Sequence, residues 1–156
     1  MTIYLHFFKG VLAMICIKET SNLSSQTYQD ALTIRKEVFV DEQQVSLSIE
    51  IDQEDVCIHF VLYDKEVPQA TVRIQEKDNL VYKIQRMAVL KSARKKGYGR
   101  QLMTYVEEFA KHNHMNELML GAQDHAIPFY EALGYQVFGE EYLDAGIKHF
   151  DMKKEL

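Results

Sequence analysis

The sequence predicts an α/β fold in which a mixed sheet is covered by helices on both faces. Short runs rich in β-branched and aromatic residues alternate with segments whose apolar residues recur at helical spacing. Hairpins occur near the start and the end of the chain, and helices connect the strands between them. The length of 156 residues suits one domain with one sizeable core.

Four strands are predicted in the first half of the chain, at residues 14–18, 57–63, 67–75 and 80–90. Ser24, Ser25 and Thr27 offer N-cap groups for a helix over residues 28–40. The polar and acidic residues 41–55 have no sustained period, which predicts a loop or a short helix. Residues 64–66 and 78–79 have the composition of tight turns between the last three strands.

The second half predicts a strong amphipathic helix over residues 98–112. Its inner stripe consists of Leu102, Val106, Phe109 and Ala110. A short buried strand is expected at residues 117–121. Asp124 can cap a helix that runs through Leu133, and Gly134 ends that helix in the C′ position. Two final strands are predicted at residues 135–138 and 147–152.

Composition and charge exclude several classes of function. The net charge of −5 and the pI near 5.7 argue against a general nucleic-acid-binding surface. Cys16 and Cys57 lie in apolar runs and have no metal-ligand spacing, so no metal site is expected. Two buried thiols indicate a reducing compartment, and we expect a cytoplasmic protein.

Residues 1–13 (MTIYLHFFKGVLA) are mostly apolar but do not have the pattern of a membrane anchor. Lys9 interrupts the run, which falls short of the roughly 20 apolar residues of a membrane span. The charge order and cleavage site of a signal peptide are not clear either. We therefore expect residues 1–13 to be an N-terminal extension and residues 14–156 to form the domain, with an added strand as the alternative.

The most informative segment is the loop RKKGYGR at residues 94–100, which joins a predicted strand to the helix over residues 98–112. Gly97 and Gly99 remove side chains, so backbone N–H groups can approach a ligand closely. The first turn of a helix offers about four unpaired N–H donors and a partial positive charge, which suits a pyrophosphate. Five basic residues and no acidic one lie between Lys91 and Arg100. The alternative is a glycine-containing turn with a solvated basic face.

The order of motifs along the chain resembles the GNAT superfamily of N-acetyltransferases. KIQRMAVL leads into RKKGYG, a helix, ELMLGAQ and then DHAIPFYEALGY. That last stretch is similar to the family signature Asn-x-x-Ala-x-x-Phe-Tyr-x-x-x-Gly-Phe/Tyr, with Gln123 in place of the asparagine. IRKEVFVDEQQV, EIDQED, LGAQ and LDAGIKHFDM resemble the ElaA-like branch, so the resemblance runs from about residue 14 to the C-terminus.

The resemblance implies a mostly antiparallel sheet of six to seven strands, splayed between the fourth and fifth, with about four helices. It also implies acetyl transfer from acetyl-CoA, as co-substrate, to a primary amine of a small molecule or a protein by direct attack in a ternary complex. In such proteins the pantetheine pairs with the fourth strand, and the glycine-containing loop holds the pyrophosphate. The implied cofactor-binding residues are Met87, Ala88, Val89, Arg94, Lys95, Lys96, Gly97, Tyr98, Gly99, Arg100, Gln123 and Phe129.

The resemblance places Tyr130 at the position of the general acid that protonates the departing thiolate. The alternative for Tyr130 is a core tyrosine with a satisfied hydroxyl. The Val89 N–H is the expected donor to the oxyanion. The general base stays open, because Lys83 occupies the strand position where some members carry a glutamate. The remaining candidates for that base are His59, Glu76, Asp52 and His149.

Arg35 and Arg86 fall at positions predicted to be buried, where an arginine usually has a carboxylate partner. Asp52, Glu42 and Glu54 are candidate partners. Structural ion pairs are favoured over a pocket for an anionic group of the acceptor.

A second function remains open beside the transferase. A non-catalytic acyl-CoA-binding regulatory module would keep the loop at residues 94–99 but would not need Tyr130. The expected partners are acetyl-CoA and an amine whose identity is open, rather than nucleic acid or membrane. The resemblance leaves homodimer formation open.

Overall fold

The computed structural model describes residues 2–8, 11–78 and 80–156. The strands of this part of the chain are β1 (Thr2–Phe8), β2 (Val11–Thr20), β3 (Cys57–Asp64), β4 (Val67–Asp78), β5 (Val81–Val89), β6 (Glu117–Gln123), β7 (Gln136–Asp144) and β8 (Ile147–Glu155). The α-helices are α1 (Gln26–Arg35), α2 (Leu47–Glu50), α3 (Tyr98–His112) and α4 (Ile127–Glu131). A π-helical segment follows α1 at Lys36–Glu42, and 3₁₀ turns lie at Glu54–Val56, Lys91–Ala93 and Asp124–Ala126.

The chain divides into two compact units. Unit 1 comprises Met1–Arg73 and Arg86–Tyr105, and unit 2 comprises Ile74–Gln85 and Val106–Leu156. The strands β4 and β5 and the helix α3 each contribute one part to each unit.

In unit 1, β2 pairs antiparallel with both β1 and β3. Lys65 and Glu66, which join β3 to β4, have φ values of 50° and 67°. Two consecutive left-handed residues are typical of the type I′ turn that matches the twist of a hairpin. The tight turn predicted at residues 64–66 is confirmed. The core of this unit includes a cluster of buried side chains from α1, the π-helical segment, β3 and β5, namely Ala31, Ile34, Val38, Val61, Tyr63 and Ala88.

The helix predicted at residues 28–40 is a shorter α-helix followed by a π-helical segment. Of the three predicted capping groups, Ser25 is the N-cap, and its hydroxyl accepts a hydrogen bond from the Tyr28 N–H at 3.2 Å. At the far end, the Gln43 N–H donates to the Val38 carbonyl over five residues, at 3.2 Å. This wider spacing, which apolar periodicity does not reveal, defines the π-helical turns at Lys36–Glu42.

In unit 2, the strand order is β5-β6-β8-β7. The β5·β6 pair is parallel and is registered from Val81 with Glu117 to Ile84 with Leu120. The β6·β8 and β7·β8 pairs are antiparallel. Counted from residue 14, β5 and β6 are the fourth and fifth of seven strands, and this short parallel pair matches the predicted splay. The fold prediction of a mixed, mostly antiparallel sheet with about four helices is confirmed.

The helix predicted after β6 differs from the structure at both ends. The expected helix from Asp124 to Leu133 is a 3₁₀ turn followed by the five-residue α4, which has a proline in its first turn. Asp124 does not cap it, because the turn begins after Gln123 and no side-chain cap bond is formed there. Gly134 has a φ of 92°, as a C′ glycine requires.

Within residues 1–13, the backbone of Thr2–Phe8 forms the strand β1. An added strand was the alternative to an N-terminal extension in the sequence analysis. The strand β2 starts at Val11 rather than at residue 14. Among the helices of the described residues, none combines the length and the apolar character that crossing a bilayer requires.

Candidate functional site

The loop before α3 has the backbone geometry of an anion-binding helix start. Lys95 and Gly97 have φ values of 65° and 80°, so the chain turns twice through the left-handed region. The Gly97 carbonyl accepts from the Gln101 N–H at 3.1 Å, which makes Gly97 the residue that begins the helix. The amides of the three residues between them therefore have no acceptor within the helix. This arrangement leaves three N–H groups and the positive end of a 15-residue helix for an anion.

The space beside Gly97 is open on the protein side. A Cβ built on Gly97 would meet no atom within 4 Å. Packing within the protein therefore does not exclude a side chain at this position. The positive φ by itself favours glycine at this position.

Arg94 makes two contacts within unit 1. Its Nη2 donates to Glu42 Oε1 at 2.7 Å, and its Nε donates to the Val89 carbonyl at 3.1 Å. The Arg94 and Glu42 side chains are both substantially exposed, so this ion pair is screened by water and is weak. An anion at the helix start could therefore replace Glu42 as the partner of Arg94 at little cost.

Tyr98 anchors the start of α3 to the end of β3. Its side chain is buried, and its hydroxyl donates to Asp64 Oδ2. Burial and the neighbouring Asp64 raise the pKa of Tyr98 to about 12. The side chain of Tyr98 thus fixes the helix start, while its backbone amide remains part of the open first turn.

The predicted pantetheine-binding strand contains a strained residue just before the predicted positions. Arg86, in the middle of β5, has a φ of 56°, which is unusual for a non-glycine residue in a strand and indicates a bulge. Its guanidinium donates to the carbonyls of Glu50 and Ile49 at 3.2 and 3.1 Å. Beyond the bulge, Ala88 is buried and both Met87 and Val89 are partly exposed. The two carbonyls at the end of α2 therefore hold the Arg86 side chain in place. Met87 and Val89 follow this anchored residue in β5.

A buried ion cluster lies in unit 1 and consists of Arg35, Glu50, Glu54, Arg73 and Arg86. Arg35 Nε donates to Glu50 Oε1 at 2.6 Å, and Arg35 Nη1 donates to Glu54 Oε2 at 2.8 Å. Arg73 Nη1 donates to Glu54 Oε1 at 2.7 Å, and Arg86 Nε lies 3.0 Å from Glu50 Oε2. The ion pairs predicted for Arg35 and Arg86 are thus present. Of the candidate partners, Glu54 pairs with Arg35, whereas Glu42 pairs with Arg94 instead. Arg86 pairs with Glu50, which was not among the candidates, and Arg73 was missed as well.

The two carboxyl groups of this cluster titrate differently. Burial alone would raise the pKa of Glu54, but the hydrogen bond from Arg35 and the charges of Arg35 and Arg73 outweigh it and hold the pKa at about 2. Burial raises the pKa of Glu50, since Glu50 is more deeply enclosed.

His59 also contacts the ion cluster, through Glu54. Its Nε2 lies 3.2 Å from the Glu54 carbonyl and 3.7 Å from Glu54 Oε2, and burial lowers the pKa of His59. His59 is 1% exposed, and its contacts with Glu54 lie within the core of unit 1. Of the other predicted bases, Asp52 and Glu76 are exposed side chains.

Tyr130 lies in an aromatic group of unit 2. Its ring meets Phe129 edge-on at 5.0 Å and Tyr135 at 5.9 Å between centroids. Tyr130 is 7% exposed, and burial raises its pKa well above the ordinary value for tyrosine. Its hydroxyl is therefore protonated at neutral pH. The hydroxyl of Tyr135, next to it, is buried and has no hydrogen-bond partner among the described residues.

Gln123, the last residue of β6, lies opposite His149 of β8 in the antiparallel register. His149 is nine-tenths buried, and its Nδ1 lies 2.7 Å from the Ile147 carbonyl. The predicted residues thus belong to two groups: Met87 to Val89 and the loop at residues 94–100 in unit 1, and Gln123, Phe129 and Tyr130 in unit 2.

Comparison with known proteins identifies the family. Residues 22–156 match the model of the acetyltransferase (GNAT) domain. The chain is 41% identical over 134 residues to the "Uncharacterized N-acetyltransferase YjcF" of Bacillus subtilis, covering 85% of this chain and 95% of that protein. The crystal structure of Escherichia coli ElaA is similar with a TM-score of 0.80 and 30% identity, over 91% of this chain and all of that one (100%). An acyl-CoA N-acyltransferase from Pseudomonas aeruginosa is similar with a TM-score of 0.79 and 26% identity, over 91% and 99% of the two chains.

Proposed function

The chain belongs to the GNAT family of acetyltransferases, and on that premise we propose that it transfers an acetyl group from acetyl-CoA to a primary amine. The amine belongs to a small molecule or a protein and attacks the thioester directly in a ternary complex. Relatives named as N-acetyltransferases and a structural neighbour named as an acyl-CoA N-acyltransferase support an acyltransferase.

The geometry of the loop before α3 carries the proposal. The left-handed Gly97, the open space beside it and the three amides that follow suit a diphosphate, which coenzyme A contains. Lys95, Lys96 and Arg100 are exposed around this point and supply positive charge. Gly99 lies in the first turn, where it keeps the backbone accessible. Arg94 would exchange Glu42 for a phosphate oxygen.

The strand β5 would hold the pantetheine arm through its backbone. Beyond the bulge at Arg86, the backbone groups of Met87, Ala88 and Val89 would pair with the amides of the pantetheine as another strand does. The Val89 N–H would donate to the oxygen of the tetrahedral intermediate. Catalysis would then depend chiefly on holding the amine and the thioester together.

In unit 2, Tyr130 would donate to the departing thiolate, since its phenol stays protonated at neutral pH. Gln123 would replace the family's asparagine, because both side chains end in the same amide group. Phe129, whose ring packs on Tyr130, would line the acyl-donor site. We place the reaction in the cytoplasm, the reducing compartment that the free thiols of Cys16 and Cys57 favour.

The experiment that tests this function measures the release of thiol from acetyl-CoA across a panel of primary amines. We expect at least one amine to give thiol release that depends on both enzyme and amine, with the acetylated amine as the matching product. Binding of acetyl-CoA without turnover on any amine would contradict the transferase. That result would support a non-catalytic acyl-CoA-binding module, which needs the loop before α3 but not Tyr130.

A further inference from the structure

A row of three side chains crosses neighbouring strands of unit 2. Gln123 of β6 is the register partner of His149 of β8, and Tyr142 of β7 is the register partner of His149 on its other side. Directly opposed residues of antiparallel strands point to the same face, with Cβ atoms about 4.5–5.5 Å apart. His149 therefore lies one strand away from Gln123, a residue proposed to contact acetyl-CoA.

The hydrogen bond of His149 fixes which ring nitrogen carries the proton. The Ile147 carbonyl can only accept, so Nδ1, at 2.7 Å, must donate to it. In the neutral ring, Nε2 then carries the lone pair and accepts protons. His149 thus presents a basic nitrogen on the side of the ring opposite to Ile147.

The ring of His149 is also held in position. It stacks on Tyr142 with 5.7 Å between centroids and 25° between planes. Tyr142 is itself fixed, because its hydroxyl donates to Asp151 Oδ1 at 3.0 Å. Gly121 makes room for this arrangement, since a Cβ there would collide with the Tyr142 hydroxyl. A side chain held by both stacking and a hydrogen bond has the orientation that a proton acceptor needs.

We propose that His149 is the general base of the reaction, taking a proton from the acceptor ammonium through Nε2. The inference rests on the proposed function. The ammonium R–NH₃⁺ passes one proton to Nε2, and the free amine attacks the thioester carbon, forming the C–N bond. As the C–S bond breaks, Tyr130 protonates the thiolate, and its phenolate recovers a proton from the nitrogen of the intermediate. The imidazolium releases the first proton to solvent.

The surroundings of His149 suit a cationic acceptor. Asp144 of β7 and Asp151 of β8 lie on the same face by the register, beside Tyr142. Asp124 and His125 belong to the 3₁₀ turn that packs against β8. Lys148, next to His149 in β8, is paired with Glu141 at 3.4 Å, and Lys153 of the same strand lies over the Phe138 ring. The carboxyl groups of Asp144, Asp151 and Asp124 favour the approach of an ammonium group to this edge. Among the other candidate bases, His59 faces the buried Glu54 and is 1% exposed.

The test compares His149→Gln and His149→Asn with His112→Gln. His112 is a matched control, because its Nδ1 also bonds a backbone carbonyl, that of Glu108 at 2.7 Å, on the exposed end of α3. With the most active alkylamine of the panel, we expect kcat/KM to fall about 10-fold or more in both His149 variants. The acidic limb of the pH profile should disappear in these variants and persist in His112→Gln. The affinity for coenzyme A should stay within about two-fold, which corresponds to less than ~0.5 kcal/mol.

2,2,2-Trifluoroethylamine, a primary amine that is mostly unprotonated at neutral pH, provides the decisive comparison. The loss in the His149 variants should be much smaller with trifluoroethylamine than with the alkylamine, because no proton has to be removed before attack. An equal loss with both amines, or an acidic limb that persists, would overturn the role of His149 while leaving the transferase in place. A wild-type protein inactive toward every amine would overturn both.

A measurement on proteins that keep His149 covers His149 variants that fail to fold. With ¹⁵N-labelled histidine at neutral pH, we expect the rings of His112 and His149 to be protonated at Nδ1, because each Nδ1 bonds a backbone carbonyl. In His112→Gln, the His149 ring should remain with its proton on Nδ1, and its Nε2 signal should shift when the amine binds in the presence of coenzyme A. If every neutral ring of His112→Gln carries its proton on Nε2, the proposal is wrong.

Discussion

Replacing Tyr130 by phenylalanine should lower kcat for acetyl transfer by about 100-fold while leaving the affinity for coenzyme A nearly unchanged. General acid catalysis contributes roughly 10²–10⁴-fold, and the contribution falls as the pKa of the acid moves away from the working pH. Burial raises the pKa of Tyr130 strongly, so we expect the low end of that range. Steady-state thiol release gives kcat, and calorimetry gives the affinity for coenzyme A.

Tyr135→Phe is the matched control for this prediction. Tyr135 belongs to the same aromatic group, and its buried hydroxyl has no partner among the described residues. Removing that hydroxyl should leave kcat unchanged and should not lower the thermal stability, because no hydrogen bond in the described structure is lost. Equal rates for wild type and Tyr130→Phe would assign Tyr130 to packing alone.

Replacing Glu54 by glutamine should destabilise the protein by about 3 kcal/mol, because removing one partner of a buried ion pair leaves uncompensated charge. Glu54 accepts from Arg35 and Arg73, and Tyr28 also donates to it. With a glutamine there, Glu50 would be the single carboxylate left in the ion cluster with its three arginines. Urea unfolding at pH 7 measures the change. Glu42→Gln, in the exposed pair with Arg94, should cost less than about 1 kcal/mol and is the control.

The stabilisation by Glu54 should depend on pH with a definite sign. The folded pKa of about 2 lies below the ordinary value for glutamate, near 4.3. Stability from this group is therefore fully present above about pH 4.3 and is lost as the pH falls toward 2. The difference in unfolding free energy between wild type and Glu54→Gln should shrink over that interval. A difference that is constant from pH 7 to pH 2 would contradict the assigned charge state.

Local sequence patterns were sufficient for most of the fold. The hairpin at Lys65 and Glu66, the amphipathic α3 and the C′ position of Gly134 each depend on residues close together in the chain. The π-helical segment at Lys36–Glu42 could not be predicted in this way. The apolar residues of its sequence fit an ordinary helix, and the wider hydrogen bonds at its end become visible only in the structure.

The loop before α3 could be predicted from the sequence because its lysines and glycines lie close together in the chain, at residues 95–99. The ion cluster could be predicted only in part. Arg35 and Arg86 were recognised as buried arginines in need of carboxylates. Arg73 was missed because it lies in a β-branched run that predicts an ordinary strand, although the same rule on buried arginines applies to it. Glu50 pairs with Arg86 across 36 positions of the chain, and no local pattern encodes that pairing.

The central claim is that main-chain amides at the start of α3 bind the diphosphate of coenzyme A. Gly97→Leu tests it against Gly139→Leu, since the two glycines have φ values of 80° and 77° and neither would place a Cβ within 4 Å of another atom. Both substitutions should cost a similar ~1–2 kcal/mol of backbone strain. Only Gly97 adjoins the helix start, so the two variants differ in the ligand site and not in the strain.

Calorimetry of wild type and both variants with coenzyme A, and of wild type with pantetheine, gives the answer. We expect coenzyme A to bind the wild type and Gly139→Leu alike, and to bind Gly97→Leu at least about 10-fold more weakly, or ~1.4 kcal/mol. Pantetheine, which lacks the diphosphate, should bind weakly to the wild type. Equal affinity of coenzyme A for Gly97→Leu and the wild type, or pantetheine binding as tight as that of coenzyme A, would contradict the claim.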